Sequence, residues 1–190
     1  MLKSKLLTDD LHLLDCSRPC TGASSVLLAS ESASKKFEQP VWIKGIGQKT
    51  IAASFTKNEN LTEMTSTKIA ARQAFDMAKA HADDVDVVEL HDAFTICEIM
   101  ALEDMGFVKK GDGASYVRGL YDTQNKKINP RGGLIGAGHS LGATGVAQVV
   151  EISQQLQCRA EKRQIENARI GLVHNMSAAA TSSTVLLLES

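Results

Sequence analysis

A glycine-rich stretch, GLIGAGHSLGATG, runs from Gly133 to Gly145 and contains one histidine and one serine, His139 and Ser140. Its letters GHSLG satisfy the G-x-S-x-G motif, in which a strand–turn–helix junction exposes a nucleophilic serine. The dinucleotide fingerprint G-x-G-x-x-G fits less well, because its third glycine comes one residue late, at Gly142. In a third interpretation His139 is the working residue, and the glycines let a ligand approach it.

Three of the five histidines follow a strand-like or glycine-rich run. His91 follows VVEL, His174 follows RIGLV, and His139 follows GLIGAG. Ligands gather at the carboxyl ends of strands in open α/β sheets, so we expect the three rings to converge. Histidine suits proton transfer near neutrality, with an unperturbed pKa of about 6.5. The pattern therefore predicts an acid–base site.

Other interpretations of these residues stay open. Asp92 is suited to cap the helix that begins near Phe94, and His174 with Asn175 is suited to form a polar pair in a turn. A three-histidine zinc site is a further alternative, although none of the spacings matches a recognised ligand pattern. The serine interpretation of Ser140 requires a strand that leads into the motif, whereas the preceding residues are short and glycine-broken.

The composition is that of an ordinary globular domain, with 43% hydrophobic residues, 23% charged residues and a net charge of −1. We expect neither nucleic acid nor a membrane as a partner, because the charge is near zero and no apolar run approaches about 20 residues. We also expect a cytoplasmic location without a secretory signal and no metal site. No C-x-x-C pair occurs, so reduced thiols are expected at the four cysteines: Cys16, Cys20, Cys97 and Cys158.

Alternating patterns predict an α/β fold with a mixed five-stranded sheet covered by helices. The first residues fit this scheme less well, since Met1–Glu38 holds one strand-like run, Ser24–Glu31, and no crossover partner. A polar loop is predicted from Lys109 to Arg131. Strands are predicted at 40–48, 85–90, 168–175 and 183–189, the last two antiparallel, and helices at 62–82, 94–107 and 141–156.

Several ordered motifs resemble those of thiolases. NPRGGLIGAGHSLGATG, from Asn129 to Gly145, resembles the signature N-x-x-GG-x-x-x-x-GHP-x-G-x-x-G. HDAF at 91–94 and LVHN at 172–175 resemble segments of the sterol-carrier-protein-type and archaeal branch, and residues 11–31 resemble the segment that closes the first half of a thiolase subunit. The resemblance implies that residues 39–190 form the thiolase-fold C-terminal domain, and that 1–38 belong to the end of the N-terminal half.

The resemblance also implies a mechanism on a coenzyme A thioester as substrate, with no cofactor. A cysteine of the N-terminal half would take the acyl group, and His139 would activate that thiol. His91 would hold a second oxyanion or a water, and His174 would complete the catalytic set. Substrate-binding residues implied in the same way are Asn129, Gly138, Ser140, Asn175, Asp92 and Phe94.

Departures from the pattern keep other functions open. The nucleophilic cysteine lies outside this chain, Ala93 replaces the cysteine of HDCF, and Ser140 replaces a proline. The expected glycines after HN are Ser177 and Ala178–Ala180. The isolated chain is therefore expected to be inactive. A non-catalytic acyl-CoA-binding or scaffold domain and a thiolase-fold aldolase are the alternatives.

The resemblance further implies partners. These are acyl-CoA, a thiolase N-terminal half or subunit, a second copy of the chain in a homo-oligomer, and proteins such as a hydroxymethylglutaryl-CoA synthase and a zinc-ribbon/OB-fold protein. Because thiolase halves bury apolar surface against each other, we expect the chain alone to self-associate or to expose an apolar patch.

Overall fold

The computed structural model describes residues 3–52, 57, 60–122 and 127–190. Its strands are β1 Leu6–Thr8, β2 Leu11–His12, β3 Trp42–Thr50, β4 Val87–Glu89, β5 Ile170–Met176 and β6 Ser182–Glu189. Its α-helices are α1 Glu31–Ser34, α2 Thr65–Ala78, α3 Thr95–Asp104, α4 Gly113–Asp122, α5 Gly133–Ala137 and α6 Thr144–Leu156. The strands predicted at 40–48, 85–90, 168–175 and 183–189 and each predicted helix are present, with shifted ends.

The main sheet has the strand order β3-β6-β5-β4. The β3–β6 and β6–β5 pairs are antiparallel, as predicted for the last two strands, and β4 runs parallel to β5 with Val88 opposite Leu172. The predicted mixed sheet covered by helices is confirmed. Four of the five predicted strands form it within the described residues, and beside β4 a single parallel bridge joins Val88 to Ile128. Pairing stops there because Asn129 has a left-handed φ of 47° and Pro130 lacks an N–H.

Alternating residues of the same strands enter two cores, one on each face of the sheet. Leu172 and Leu187 face α2 and α3, whereas their neighbours Val173 and Leu188 pack against Ile152 of α6. Helices therefore cover both faces, which explains why these strands read as nearly continuous apolar runs.

Two glycines of β3 let α2 approach the sheet closely. A β-carbon at Gly45 would overlap the backbone oxygen of Ala74, and one at Gly47 would overlap that of Ala70. The facing residues of α2 are themselves small, so helix and strand meet backbone to backbone. This contact fixes the position of α2, which carries Thr67 toward the site.

The predicted polar loop from Lys109 to Arg131 was wrong in its first half, because it contains α4. Tyr116 and Val117 pack against the core on the α2 side, so the segment is amphipathic despite its glycines and aspartates. The carboxylate of Glu103 stabilises the start of α4, because it accepts hydrogen bonds from the N–H groups of Gly111 (3.1 Å) and Gly113 (3.0 Å). Residues 123–126 of the predicted loop lie outside the described residues.

The N-terminal segment has little regular structure of its own. A short hairpin, β1–β2, is followed by residues 16–30, which form only isolated bridges, and by the four-residue helix α1. The strand predicted over Ser24–Glu31 is not formed, and these residues join neither sheet of the described chain. Leu27 and Leu28 are each 77% exposed as a result.

Within the described part of the chain, no helix combines the length and the apolar character needed to cross a membrane.

Candidate active site

Two histidine rings meet at the carboxyl edge of the sheet. His91 follows the end of β4 by two residues, and His139 follows α5 through Gly138, whose φ of 86° turns the chain. Their ring centroids lie 5.0 Å apart, with the planes at 88°. The predicted convergence therefore holds for this pair.

His139 is oriented by Thr144 in the first turn of α6. Thr144 Oγ1 donates to the backbone oxygen of Ser140 at 3.0 Å, and His139 Nδ1 lies 2.8 Å from the same hydroxyl. A carbonyl oxygen can only accept, so the hydroxyl proton points to Ser140 and the hydroxyl oxygen accepts from Nδ1–H. The neutral ring then carries a bare Nε2, which is the atom of a general base.

His91 has the opposite arrangement. Its Nδ1 lies 3.0 Å from Asn175 Nδ2, an amide nitrogen that can only donate. Nδ1 is therefore the acceptor, and the proton of the neutral ring sits on Nε2. His91 thus offers an N–H donor where His139 offers an acceptor.

Burial keeps both rings neutral. It lowers the pKa of His91 to about 4, with the neighbouring His139 lowering it further. Burial also lowers the pKa of His139, partly opposed by the charge of Asp92. At neutral pH the site therefore holds two uncharged imidazoles with complementary tautomers.

His174 was expected among the catalytic residues of the pocket, but the structure places it in the interior. Its ring is fully buried, and Nε2 lies 3.1 Å from the Thr67 hydroxyl of α2. Burial lowers its pKa to about 3, with the adjacent His91 as the second cause. Nδ1 has no hydrogen-bond partner among the described residues. The ring therefore lies behind the pair rather than at the pocket surface.

The three histidines do not form a metal centre. Across residues 3–52, 57, 60–122 and 127–190, no group of three histidine, cysteine, aspartate or glutamate side chains is arranged to hold a metal ion.

Asp92 caps a helix, but a different one from the helix its sequence position indicated. Its carboxylate accepts from the Leu134 N–H at 2.7 Å, at the start of α5. Phe94 is the N-cap of α3 and has no side-chain cap. Gly133 is required beside Asp92, because its φ is 60° and a β-carbon there would overlap the carboxylate. This contact brings the glycine-rich loop to the end of β4.

Two further polar links hold the NPRGG loop to β4. Asn129 Oδ1 accepts from the Leu90 N–H at 2.7 Å, and its Nδ2 donates to Glu98 at 2.8 Å. Arg131 Nε donates to the fully buried Glu89 at 2.9 Å. Burial nevertheless raises the pKa of Glu89 to about 7, which outweighs the effect of Arg131. Asn129, expected to bind substrate, thus has both ends of its amide engaged by the protein.

A largely apolar cavity of about 280 Å³ opens beside His91. Phe94, 44% exposed, and Ala93 lie at its wall. Cys97 is the thiol in its lining, and burial raises the pKa of that thiol, which disfavours the thiolate. The remaining lining includes Ile51, Leu61, Met64, Met100, Met176 and Ala178–Ala180.

The serine-hydrolase interpretation of Ser140 was wrong. The residues before it form α5 and a glycine turn instead of the strand that the motif requires. Ser140 instead packs against the N-terminal segment, where a β-carbon on Gly22 would come within 2.8 Å of its Oγ.

The glycines around His139 serve two purposes. A β-carbon on Gly138 would come within 2.8 Å of Cys20 Sγ, so this glycine makes room for the chain's own N-terminal segment. At Gly136 and Gly142 a β-carbon would meet nothing within 4 Å, so these two face open space. Room for a ligand is therefore available at Gly136 and Gly142, whereas Gly138 is already approached from within the chain.

The site contains residues that sequence reasoning missed. Thr144 and Gln148 orient the two histidines and their amide partner, and Cys97 lies in the cavity wall. The sequence does contain a pattern that indicates Thr144 and Gln148. The buried face of α6 carries polar residues at three- and four-residue spacing where apolar ones are expected: Thr144, Gln148, Glu151 and Gln155.

Comparison with known proteins shows the family of this chain. A family profile described as "Thiolase C-terminal domain-like" matches residues 47–190. The acetyl-CoA acetyltransferase of Methanothermobacter thermautotrophicus is 39% identical over 191 residues, an alignment that covers 97% of this chain and 49% of that protein. Human sterol carrier protein 2 is 36% identical over 184 residues, covering 93% of this chain and 34% of that protein.

A solved structure supports the fold. The Ltp2-ChsH2(DUF35) aldolase superposes with a TM-score of 0.80 at 17% identity, over 99% of this chain and 50% of that one. The mixed sheet and the helices that cover it thus form a thiolase-fold domain. The chain belongs to the thiolase family, within its C-terminal domain, and spans half or less of the length of the relatives described above.

Proposed function

We propose that this chain forms the C-terminal half of a thiolase-like acyl-CoA acyltransferase site. The observation that carries the proposal is the pair His91 and His139, 5.0 Å apart with complementary tautomers. One ring presents an acceptor nitrogen and the other an N–H donor, which are the two groups that acyl transfer through a cysteine needs.

In the proposed reaction His139 accepts a proton and His91 donates a hydrogen bond. His139 Nε2 takes the proton of a cysteine thiol, and the thiolate attacks the carbonyl carbon of the acyl-CoA thioester. The carbonyl oxygen becomes an oxyanion that accepts a hydrogen bond from His91 Nε2–H. As the carbon–sulfur bond to coenzyme A breaks, the leaving thiolate takes the proton back from His139, and the acyl group stays on the cysteine.

The cysteine in this proposal belongs to an N-terminal half. The Cys97 thiol lies at the cavity wall, but burial raises its pKa and so suppresses the nucleophilic form. The thiolase relatives are about two to three times as long as the matched region. The exposed apolar side chains of the N-terminal segment, Leu27 and Leu28, also support a missing partner surface.

A fusion protein tests the proposal. The C-terminal half of the Methanothermobacter relative is replaced by this chain, and thiolysis of acetoacetyl-CoA is followed with free coenzyme A. We expect turnover by the fusion and none by the isolated chain. His139→Gln in the fusion should reduce the rate by about 10²–10⁴-fold, because it removes the general base.

The unmodified relative and a Ser140→Ala fusion are the matched controls. Ser140→Ala changes the neighbouring side chain without touching either histidine and should keep most of the rate. A fusion that folds and binds coenzyme A but shows no turnover would contradict the acyltransferase proposal. Turnover by the isolated chain would contradict the need for an N-terminal half.

One observation favours a second candidate, an acyl-CoA-binding or aldolase domain without an acyl-cysteine. Ala179 and Ala180 have left-handed φ values of 54° and 50°, a conformation that suits glycine. Their β-carbons stand in the cavity wall where the thiolase pattern has glycines, and Ala93 stands where HDCF has a cysteine. The double substitution Ala179→Gly and Ala180→Gly should raise the turnover of the fusion under the first proposal and leave it unchanged under the second.

Partners beyond the N-terminal half stay predictions from the resemblance. They are a homo-oligomeric copy, a hydroxymethylglutaryl-CoA synthase and a zinc-ribbon/OB-fold protein. The domain boundary at residue 38 and the cytoplasmic location stay predictions as well.

A further inference from the structure

Gln148 lies in the second turn of α6 and is completely buried. Both ends of its side-chain amide are engaged. Nε2 donates to the backbone oxygen of His174 at 3.1 Å, and Oε1 accepts from Asn175 Nδ2 at 3.0 Å. Gln148 therefore contacts the histidine site only through Asn175 and the β5 backbone.

The contact with His174 fixes which way the Gln148 amide points. A backbone carbonyl can only accept, so the nitrogen of Gln148 must face it and Oε1 must face Asn175. Asn175 must then present its own NH₂ group to Gln148. Because the same NH₂ nitrogen also faces His91 Nδ1 at 3.0 Å, each of its two protons has an acceptor.

We propose that Gln148 is a positioning residue that sets the tautomer of His91. The His174 carbonyl accepts a hydrogen bond from Gln148, Gln148 accepts one from Asn175, and Asn175 donates one to His91 Nδ1. The proton of His91 therefore lies on Nε2. The consequence for catalysis, a donor held ready for the substrate oxygen, rests on the proposed function. The tautomer itself does not.

A purely structural role would leave the tautomer unaffected. Without the Gln148 carbonyl, the Asn175 amide is free to rotate and to present Oδ1 to His91. An oxygen acceptor at that position favours a proton on Nδ1, which would remove the donor from Nε2. Replacing Gln148 is therefore expected to change a property of a residue that it does not touch.

The test is nuclear magnetic resonance on the full chain labelled with ¹⁵N-histidine. Two-bond proton–nitrogen correlation at about pH 8 distinguishes protonated from unprotonated imidazole nitrogens, and the His91→Gln variant assigns the His91 signals. In the wild type we expect His91 with an unprotonated Nδ1 and a protonated Nε2. In Gln148→Met, which keeps the length and burial of the side chain, both nitrogen shifts should move toward the average of the two tautomers.

Two further variants complete the design. Gln155→Met removes another completely buried amide from α6, one that contacts Glu151, Arg163 and Ile165 and no histidine. It should leave the His91 signals unchanged. Asn175→Asp replaces the donor by an acceptor and should place a proton on Nδ1. If Gln148→Met does not fold, this variant still tests the contact between Asn175 and His91, and the wild-type tautomer still tests the inference.

A wild-type His91 with its proton on Nδ1 would overturn the inference, as would a folded Gln148→Met with the wild-type tautomer. Neither outcome depends on acyl-CoA. A chain with the expected tautomers whose fusion lacks turnover would instead refute the proposed function and leave the role of Gln148 intact.

Discussion

The N-terminal segment, residues 3–38, and the domain that follows contain the same kinds of apolar residue with opposite environments. In the domain, Leu172 is 0% exposed between β4, β6 and α2, whereas Leu28 in the segment is 77% exposed. Neither residue is unusual by type. The difference teaches that an apolar run stabilises the fold only where the chain itself supplies the opposing surface.

The two regions nevertheless meet at the candidate site. The Ser17 N–H donates to the Ala93 oxygen at 2.8 Å, and the His139 N–H donates to the Arg18 oxygen at 2.9 Å. Residues 16–20 thus connect the HDAF loop to the glycine-rich loop. The packed domain supplies the histidines, and the exposed segment crosses over them.

The sharpest contrast is expected from one leucine in each region. Leu172→Ala should lower the free energy of unfolding by about 2–5 kcal/mol, because it leaves a cavity in the core between sheet and helix. Leu28→Ala should change it by less than about 0.5 kcal/mol. Urea denaturation followed by circular dichroism measures both. A comparable loss in Leu28→Ala would show that the segment is packed in solution.

A second contrast concerns the partly buried carboxyl group of Glu98. Burial, followed by the charge of Asp92, raises the pKa of Glu98 from 4.5 to about 7. The folded state therefore binds a proton more tightly than the unfolded state, and this stabilisation is present below about pH 4.5 and is lost as the pH rises through 7.

Glu98→Gln keeps the acceptor for Asn129 and removes the charge. We expect the variant to exceed the wild type in unfolding free energy by on the order of 2 kcal/mol at pH 8, with the difference vanishing near pH 4.5. Chemical denaturation across this pH range measures it. Glu31→Gln, in the exposed helix α1, is the control for the loss of one carboxylate. Equal stability of Glu98→Gln and wild type at pH 8 would contradict the assigned burial penalty.

The smallest expected effect on stability is in the segment itself. Leu27→Ser together with Leu28→Ser should alter the free energy of unfolding by less than about 0.5 kcal/mol, yet reduce hydrophobic-dye fluorescence and self-association. Sedimentation velocity and dye titration measure these properties. Leu141→Ser, 78% exposed but outside the segment, is the matched control. Unchanged dye binding and association in the double variant would place the apolar patch elsewhere.

Much of the fold could be predicted from the sequence, because its strands and long helices carry strong local patterns. The strands at 168–175 and 183–189 were correctly paired, since two apolar runs with a short connection leave few other arrangements. Helix α4 was missed because its glycines and charges resemble a loop, and only contacts with the core reveal its apolar face. The strand at Ser24–Glu31 was wrong because a strand also needs a partner that local pattern does not supply.

The candidate site was predictable in part. The motifs predicted that His91 and His139 converge, and the two rings do lie together, although α5 rather than a strand precedes His139. They did not distinguish these rings from His174, which lies within β5 and is fully buried. Nor did they distinguish Asp92 as the cap of α5, a helix that begins 41 positions later in the chain.

The sequence by itself determined the family, the alternation of strands and helices, and the loops that carry the histidines. Only the tertiary structure decided which polar atoms face each other. The tautomer of His91 depends on Asn175, 84 positions away, and the orientation of Asn175 depends on Gln148 in a helix between them. A hydrogen bond is set by the distance and direction between two atoms, and for residues on separate elements these exist only once the sheet and α6 have packed together.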